Sequence, residues 1–215
     1  MNNRSIKKIV IVGGGSAGWL TAGLIAAEHR CGSDQSQIQV TLIESPDVNI
    51  VGVGEGTWPS MRNSLQRMGI SETEFIRYCG AAFKQGSKFV GWQNGAKNDF
   101  YYHPFVVPTG YGQANQYSSW QTYGKDHPFA DAVSAQSQIC QAGLGPKQNA
   151  TPEYAGVLNY GYHLDAGKFS QMLQQHCTQQ LGVTHIQDHV EGVLSNDNGH
   201  IASLQTRHSG ELVGD

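Results

Sequence analysis

A glycine-rich turn between an apolar segment and a helical segment constrains the fold of this chain more than any other feature. Gly13, Gly15 and Gly18 form a Gly-x-Gly-x-x-Gly motif directly after the apolar segment Lys7–Val12, which we predict to be a strand. In this motif the first glycine allows a tight turn, the second lets the backbone approach a pyrophosphate, and the third lets helix and strand pack closely. The motif therefore predicts the first turn of a βαβ dinucleotide-binding unit.

The segments after the turn complete this unit. We predict a helix over Ser16–Glu28, with Leu20 and Leu24 on its packed face, and a second strand over Gln37–Ile43. Glu44 ends the second strand, where an acidic side chain of such a unit accepts hydrogen bonds from a ribose. The order strand, helix, strand predicts a parallel sheet with a right-handed crossover.

The predicted nucleotide site combines the turn, the first helical residues and the acid that ends the second strand. The helix N-terminus would face the phosphates with its partial positive charge. Glu44 stands where an arginine would bind a ribose 2′-phosphate, which argues against NADP in this site. The motif alone does not distinguish NAD from FAD. A glycine-rich turn that only packs a helix on a sheet is the alternative interpretation. The predicted cofactor-binding residues of this unit are Gly13, Gly15, Ser16, Ala17, Gly18 and Glu44.

Composition limits the kind of partner. Charged residues make up 14% of the 215 positions, against about 25% in ordinary domains, and the net charge is −3. This balance offers no basic surface for nucleic acid or an anionic membrane, and no window approaches about 18 consecutive apolar residues. The cysteines form no Cys-x-x-Cys pair, so we expect buried free thiols in a reducing cytoplasm, and we predict no metal site. They are Cys31, Cys79, Cys140 and Cys177.

Capping signals define further helices. We predict a helix that ends at Met68 because Gly69 follows it, and a second helix that starts at the capping box of Ser71 and Glu74. The segment SKFVGW alternates and is predicted to be a short strand. Asp165 is the predicted cap of a later amphipathic helix.

The region Gln93–Tyr162 is polar, aromatic and irregular, and such regions inside a compact domain are usually functional or inserted. Its one clear helix candidate is Ala130–Gln141. Beyond it we predict a strand over Val183–Gln187 and a hairpin of Glu191–Ser195 with His200–Arg207. SGELVGD would open another strand, so we expect the chain to be a fragment.

Several segments together resemble the flavin-dependent tryptophan halogenases. IVIVGGGSAGWLTAGLIA, VGVGEGTWPSM, GAAFKQGSKFVGW and YYHPF occur in this order at family-like spacing, and the resemblance extends through YHLDAGKFSQML. It implies an α/β fold with an FAD-binding, Rossmann-like parallel sheet, added antiparallel strands and an irregular, partly helical insertion. We expect residues 1–92 to hold the N-terminal part of the FAD-binding domain, 93–162 the substrate-side insertion, and 163–215 a return to the FAD-binding domain.

The resemblance also implies a reaction. Members use FAD that a separate flavin reductase supplies in reduced form by diffusion, with oxygen and a halide ion as co-substrates, and generate hypohalous acid. A lysine then delivers the halogen to a small aromatic substrate, usually indole-type, while the protein supplies geometry and excludes water. The alternatives are another FAD-dependent aromatic monooxygenase and a nucleotide-binding fragment without catalysis. We expect a cytoplasmic protein, with a homodimer as a candidate assembly.

By resemblance, Lys84 is the catalytic lysine. It would either form an N-haloamine or donate a hydrogen bond to hypohalous acid, and both roles benefit from a desolvated amine. Its small and apolar neighbours Ala81, Ala82, Phe83 and Gly86 are expected to offer little solvated surface. Spacing alone does not separate it from Lys88, which we interpret as an ordinary surface lysine.

Two further segments match binding elements of the family. VGVGEGTWP matches its flavin-contacting strap, so Val53, Gly54 and Glu55 are predicted to bind cofactor, with Glu55 structural rather than catalytic. His103 and Phe105 match the residues that sandwich the indole, since flat rings recognise a flat ring by offset stacking. Ordinary core packing is the alternative for this aromatic run. The chain ends before the family's Trp-x-Trp-x-Ile-Pro signature and its catalytic glutamate, so we expect no halogenation by a chain that stops at Asp215.

Overall fold

The computed structural model describes residues 6–29, 31, 38–48 and 54–215. Its strands are β1 (Lys8–Val12), β2 (Gln39–Glu44), β3 (Gly54–Gly56), β4 (Ala82–Lys84), β5 (Gly86–Val90), β6 (Phe100–Pro104), β7 (Gly161–Asp165), β8 (Thr184–Gln187), β9 (Val190–Ser195), β10 (Ile201–Thr206) and β11 (Glu211–Leu212). Its helices are α1 (Ser16–Glu28), α2 (Ser60–Arg67), α3 (Glu72–Cys79), α4 (Gln116–Tyr123), α5 (Phe129–Val133), α6 (Gln136–Gln141) and α7 (Ala166–Gln179). The predicted α/β class is confirmed.

The chain divides into two compact units. Unit 1 falls within residues 1–55, 64–81 and 164–215, and unit 2 comprises residues 56–63 and 82–163. The sequence boundaries 1–92, 93–162 and 163–215 stay predictions.

The sheet at the centre of unit 1 is parallel, with β2 between β1 and β8. Lys8 pairs with Gln39 and Val12 with Ile43, so β1 and β2 run side by side along their whole length. This confirms the predicted strand–helix–strand unit, and α1 has the predicted bounds. The second strand was predicted from Gln37, which lies outside the described residues, and it extends one residue further than predicted, to Glu44.

The buried face of α1 differs from the predicted one. Leu20 and Leu24 are only half-buried. A Cβ on Gly23 would lie 2.5 Å from Met68 Sδ and 2.9 Å from Cys177 Sγ, so close approach to these side chains selects a small residue there. The buried residues of α1 are Trp19, Ala22, Gly23 and Ala26.

A second sheet of unit 1 contains β9, β10 and β11, all antiparallel. It confirms the predicted hairpin and the strand at the end of the chain. Asp188, between β8 and β9, is 2% exposed, and its carboxylate accepts hydrogen bonds from the backbone N–H groups of His189, His208 and Ser209. Burial alone would raise the pKa of Asp188, but these N–H donors outweigh it and hold the pKa well below its usual range.

Strands β3 to β7 form two further sheets. β5 and β6 pair antiparallel from Gly86 opposite Pro104 to Val90 opposite Phe100. A three-stranded sheet has the order β3-β7-β4, in which Lys84 pairs with Gly161.

The inserted region is more helical than predicted. The helix predicted over Ala130–Gln141 is two short helices, α5 and α6, because Ser134 has an extended backbone and its Oγ accepts a hydrogen bond from Gln136 N. Helix α4 was missed, although Asn115 caps it by accepting a hydrogen bond from Ser118 N at 3.1 Å.

The predicted caps in unit 1 are present. Gly69 has a φ of +78° and ends α2. Ser71 Oγ accepts a hydrogen bond from Glu74 N at 3.3 Å, and Asp165 Oδ1 accepts one from Lys168 N at 2.9 Å. Both side chains satisfy N–H groups that a helix leaves free at its start.

The four cysteines are free thiols, but only three are buried. Burial raises the pKa of the Cys79 and Cys177 thiols to about 12, so both are neutral. Cys140 is exposed, which corrects the prediction that all four are buried; it lies near the end of the short helix α6, which sequence periodicity did not resolve. The helices of the described residues include none with an apolar stretch that could span a bilayer.

Candidate functional site

The three motif glycines have different surroundings. Gly13 has a φ of +112°, and its N–H donates to Ile43 O at 2.8 Å. A Cβ on Gly18 would lie 1.9 Å from Gly13 O, so a side chain there is excluded by backbone. Apart from the adjacent residues, no heavy atom in the described part of the chain lies within 4 Å of the position that a Cβ on Gly15 would take. The fold therefore requires Gly13 and Gly18, whereas Gly15 borders open space.

A cavity of about 840 Å³ in unit 1 opens over this turn. Gly15, which lines the cavity, is the N-cap of α1, and among the described residues no side chain makes a capping hydrogen bond to the first N–H groups of the helix. These groups and the helix dipole favour a bound anion. Among the predicted cofactor residues, those that line the cavity are Gly13, Gly15, Ser16, Ala17, Glu44 and Glu55.

Glu44 lines the same cavity and is oriented by two neighbours. Its Oε1 lies 2.7 Å from His185 Nε2, with the two side chains 19% and 16% exposed. A Cβ on Gly14 would lie 1.4 Å from Glu44 Oε2, so only glycine leaves room for this carboxylate. Gly14 and His185 were not predicted as site residues. The run of three glycines was the available signal for Gly14, whereas the contact to His185 depends on the pairing of β2 with β8.

His185 is itself held in place. Gln174 Nε2 lies 3.2 Å from its Nδ1, and its ring meets Trp19 edge-on with centroids 5.1 Å apart. Its Nε2 is buried and lies 2.7 Å from Glu44 Oε1, a close contact whose alignment does not make it a hydrogen bond. The four side chains therefore form one chain of contacts that ends at the cavity.

The predicted strap is described only in part. Val53 lies outside the described residues. Gly54 and Glu55 belong to β3 and are exposed, and Glu55 lines the cavity over the glycine turn.

Lys84, at the end of β4 in unit 2, lies beside two aromatic rings. Its Nζ is 5.6 Å from the centroid of the Trp58 indole and 5.5 Å from that of the Phe105 ring. The side chain is half-buried, and no carboxylate forms an ion pair with it in the described part of the chain. An amine without a carboxylate partner, held against aromatic faces, is free to bind a small electrophile or its hydroxyl.

The two predicted substrate residues have different environments. Phe105 is buried, follows β6, and donates its backbone N–H to Gln85 O and to Gln136 Oε1. His103 is exposed on β6 and lines a cavity of about 190 Å³ together with Lys84. Both residues thus lie near the lysine, one as a fixed ring and the other at the cavity surface.

The neighbours of Lys84 are less buried than the sequence suggested. Ala82 and Phe83 are exposed, which corrects the expectation of little solvated surface. Consecutive residues of a strand point to opposite faces, so solvent reaches both faces of β4 at these two positions. Lys88 is exposed, and its Nζ lies 4.2 Å from the centroid of the Phe100 ring. It also lines the cavity with Lys84, so the aromatic pair beside Lys84 is what distinguishes the two lysines.

Trp58 and Gly56 were missed as neighbours of the lysine. The rings of Trp58 and Phe105 have centroids 5.4 Å apart. A Cβ on Gly56 would lie 3.1 Å from Lys84 Nζ and 3.3 Å from His163 Nδ1, so this glycine keeps the backbone close to the amine. Both residues belong to the strap sequence, whose glycines and tryptophan were the available signal.

Comparison with known proteins shows the family. The family profile described as "Tryptophan halogenase" matches residues 8–215. The chain belongs to the tryptophan halogenase family. It is 32% identical over 217 residues to the tryptophan 7-halogenase RebH of Lentzea aerocolonigenes, covering 94% of this chain and 39% of that protein.

Solved structures agree with this membership. The tryptophan halogenase of Shewanella frigidimarina NCIMB 400 superposes with a TM-score of 0.92 at 49% identity, over 98% of this chain and 41% of that one. Xcc4156, a flavin-dependent halogenase from Xanthomonas campestris, gives a TM-score of 0.80 at 30% identity, over 99% and 41%. The chain therefore spans about two-fifths of the length of these relatives.

Proposed function

We propose that this chain carries the FAD-binding and lysine-bearing part of a halogenase that acts on tryptophan or a related indole. The observation that carries the proposal is the placement of Lys84 beside the Trp58 and Phe105 rings, without a carboxylate partner in the described residues, in a chain of the tryptophan halogenase family. The names of the matched relatives support tryptophan as substrate and a flavin as cofactor.

The residues of the glycine turn fit an FAD. The uncapped N-terminus of α1 and the open space at Gly15 would receive the pyrophosphate, and Glu44 would accept hydrogen bonds from the ribose. His185 and Gly14 would hold the Glu44 carboxylate in position. When bound, reduced FAD would supply two of the four electrons that reduce oxygen, and the halide would supply the other two as it is oxidised to hypohalous acid.

The role proposed for Lys84 is to hold the hypohalous species at a fixed point. Its amine would do so as an N-haloamine or through a hydrogen bond from the ammonium. The backbone of Phe105 is held by its N–H, which donates to Gln85 O and to Gln136 Oε1. Its ring would pack against the flat substrate, and His103 would cover the substrate from the cavity surface. Fixing the electrophile and the ring together lowers the entropy cost of the reaction.

The remaining expectations are part of the same proposal. Reduced FAD would arrive by diffusion from a separate flavin reductase. A cytoplasmic location and a homodimer stay predictions, as do the roles of Val53 and Gly54.

The test is halide-dependent mass gain. The natural full-length protein would be incubated with reduced FAD, oxygen, bromide and tryptophan, and the product analysed by mass spectrometry. We expect one bromine in place of one hydrogen, and no product without bromide. Oxygen insertion that does not depend on halide would instead favour an aromatic monooxygenase, and FAD binding without any product would favour a nucleotide-binding protein.

A further inference from the structure

Trp58 lies where a halogenating species held by Lys84 would meet it. Its indole centroid is 5.6 Å from Lys84 Nζ, and 60% of the residue's surface is exposed. In the described part of the chain, no other tryptophan ring has a lysine ammonium over it. Trp58 is therefore an electron-rich indole within reach of the amine and open to a small reagent.

The other rings near Lys84 are poorer acceptors. Phe105, at 5.5 Å from Nζ, has an unactivated benzene ring and is buried. Tyr102 lines the cavity with Lys84, but the lysine over its ring is Lys88. Electrophilic substitution selects the most electron-rich accessible ring, and this is the indole of Trp58.

We propose that Trp58 is an internal acceptor of the halogen, which it receives at an indole carbon when no substrate occupies the site. The source of hypohalous acid rests on the proposed function, whereas the direction of the halogen by Lys84 rests on the geometry. The O–X bond of hypohalous acid breaks and a C–X bond forms. The displaced hydroxide takes the proton lost from the indole carbon and leaves as water. The indole carbon is oxidised by two electrons, the halogen is reduced by two, and the lysine is regenerated.

This modification would make turnover without substrate self-limiting. A halogen on Trp58 would add bulk beside Lys84 and next to the Phe105 ring, 5.4 Å away. Bound tryptophan would compete for the halogen and thereby protect Trp58.

The geometric part is tested without flavin. A Cys140→Ser background removes the exposed thiol, which would consume the oxidant. The full-length protein, without flavin, is treated with limiting hypobromous acid and digested, and the bromine on each tryptophan is measured by mass spectrometry. Trp92 is the matched control, because it is 70% exposed and no lysine of the described residues lies over its ring.

We expect bromine at Trp58 to exceed that at Trp92 by roughly tenfold, since a bound electrophile has a high effective concentration. Lys84→Met should reduce the ratio to about one, and Lys88→Met should leave it unchanged. Lys84→Gln, with folding checked by circular dichroism, provides a second variant if Lys84→Met fails to fold. A ratio near one with Lys84 intact, a ratio that both Lys84 variants preserve, or preferred bromination of Tyr102 would overturn the proposal.

A second arm separates this inference from the proposed function. The full-length protein is supplied with reduced FAD, oxygen and bromide, with and without tryptophan. If Trp58 is brominated and added tryptophan suppresses this bromination, both the proposed function and the inference are supported. Lys84-dependent bromination by hypobromous acid, with no bromination of any kind in the flavin reaction, overturns the proposed function and leaves the direction of the halogen by Lys84 supported. Bromination of added tryptophan, with Trp58 unmodified when tryptophan is omitted, supports the proposed function and overturns the inference.

Discussion

Replacing Gly18 by alanine should damage the fold of unit 1, although alanine is the better helix former. The added Cβ would lie 1.9 Å from Gly13 O, whereas real Cβ atoms essentially never approach a neighbour within 3.0 Å. The atom in the way belongs to the backbone of the turn, so α1 must move by about 1 Å or Gly13 must leave its conformation. Overpacking of this kind costs about 1–3 kcal/mol, and the variant should unfold at a correspondingly lower denaturant concentration.

Gly15→Ala is the matched control for this prediction. Apart from its neighbours in the chain, no heavy atom of the described residues lies within 4 Å of the new Cβ, and the backbone of Gly15 (φ −71°, ψ 175°) is open to any residue. Its stability without cofactor should stay within about 1 kcal/mol of the unmodified chain. Its affinity for FAD should fall, because the methyl group occupies the space where the pyrophosphate approaches.

Chemical denaturation of the cofactor-free proteins, followed by FAD titration, measures both effects. Equal stability of the Gly18→Ala variant and the unmodified chain would refute the packing argument. Unchanged FAD affinity of the Gly15→Ala variant would refute the assignment of the turn as the phosphate site.

Three further predictions concern unit 1. The pKa of Asp188 is lowered in the folded state, so its stabilising contribution is fully present above the ordinary aspartate pKa near 4 and is lost as pH falls below it. Asp188→Asn should therefore reduce the loss of stability at acid pH, and an unchanged acid part of the stability–pH profile would contradict this. His185→Phe should weaken FAD binding by releasing the Glu44 carboxylate, whereas Gln174→Ala should have a smaller effect, and equal affinities measured by titration would argue against the contact chain. Ser71→Ala should destabilise the protein by about 1 kcal/mol through loss of the α3 cap, and a denaturation midpoint unchanged from wild type would show that the cap contributes nothing.

The sequence predicted the elements that depend on local chemistry. The turn at Gly13, the cap at Ser71 and the hairpin of β9 and β10 each depend on residues close together in the chain, and the structure contains all three. The parallel pairing of β1 with β2 was also predictable from the sequence, because a strand–helix–strand order leaves few other topologies.

Features that depend on distant partners were not predictable from pattern. The buried face of α1 is selected by close approach to Met68 and Cys177, and apolarity alone favoured Leu20 and Leu24 instead. The break between α5 and α6 depends on the extended backbone of one residue, Ser134.

The candidate site shows the same division. Gly13, Gly15, Ser16, Ala17 and Glu44 line one cavity, as expected for a motif read along the chain. His185 and Trp58 acquire their positions from strand pairing and loop packing, so no spacing rule identified them. Lys84 and Lys88 could not be separated by spacing, whereas the structure places the Trp58 and Phe105 rings beside Lys84 only.

A comparison of two lysine variants tests whether the Lys84 amine delivers the halogen. In the full-length protein, Lys84→Met and Lys88→Met are assayed with reduced FAD, oxygen, bromide and tryptophan, and brominated product is counted against the reduced flavin consumed. We predict that Lys84→Met still binds FAD and consumes reduced flavin and oxygen but forms no brominated tryptophan, while Lys88→Met brominates at the unmodified rate. Loss of a group that acts in the transition state should lower kcat rather than weaken substrate binding. Bromination by Lys84→Met at the wild-type rate would contradict the claim and make Lys84 an ordinary surface lysine.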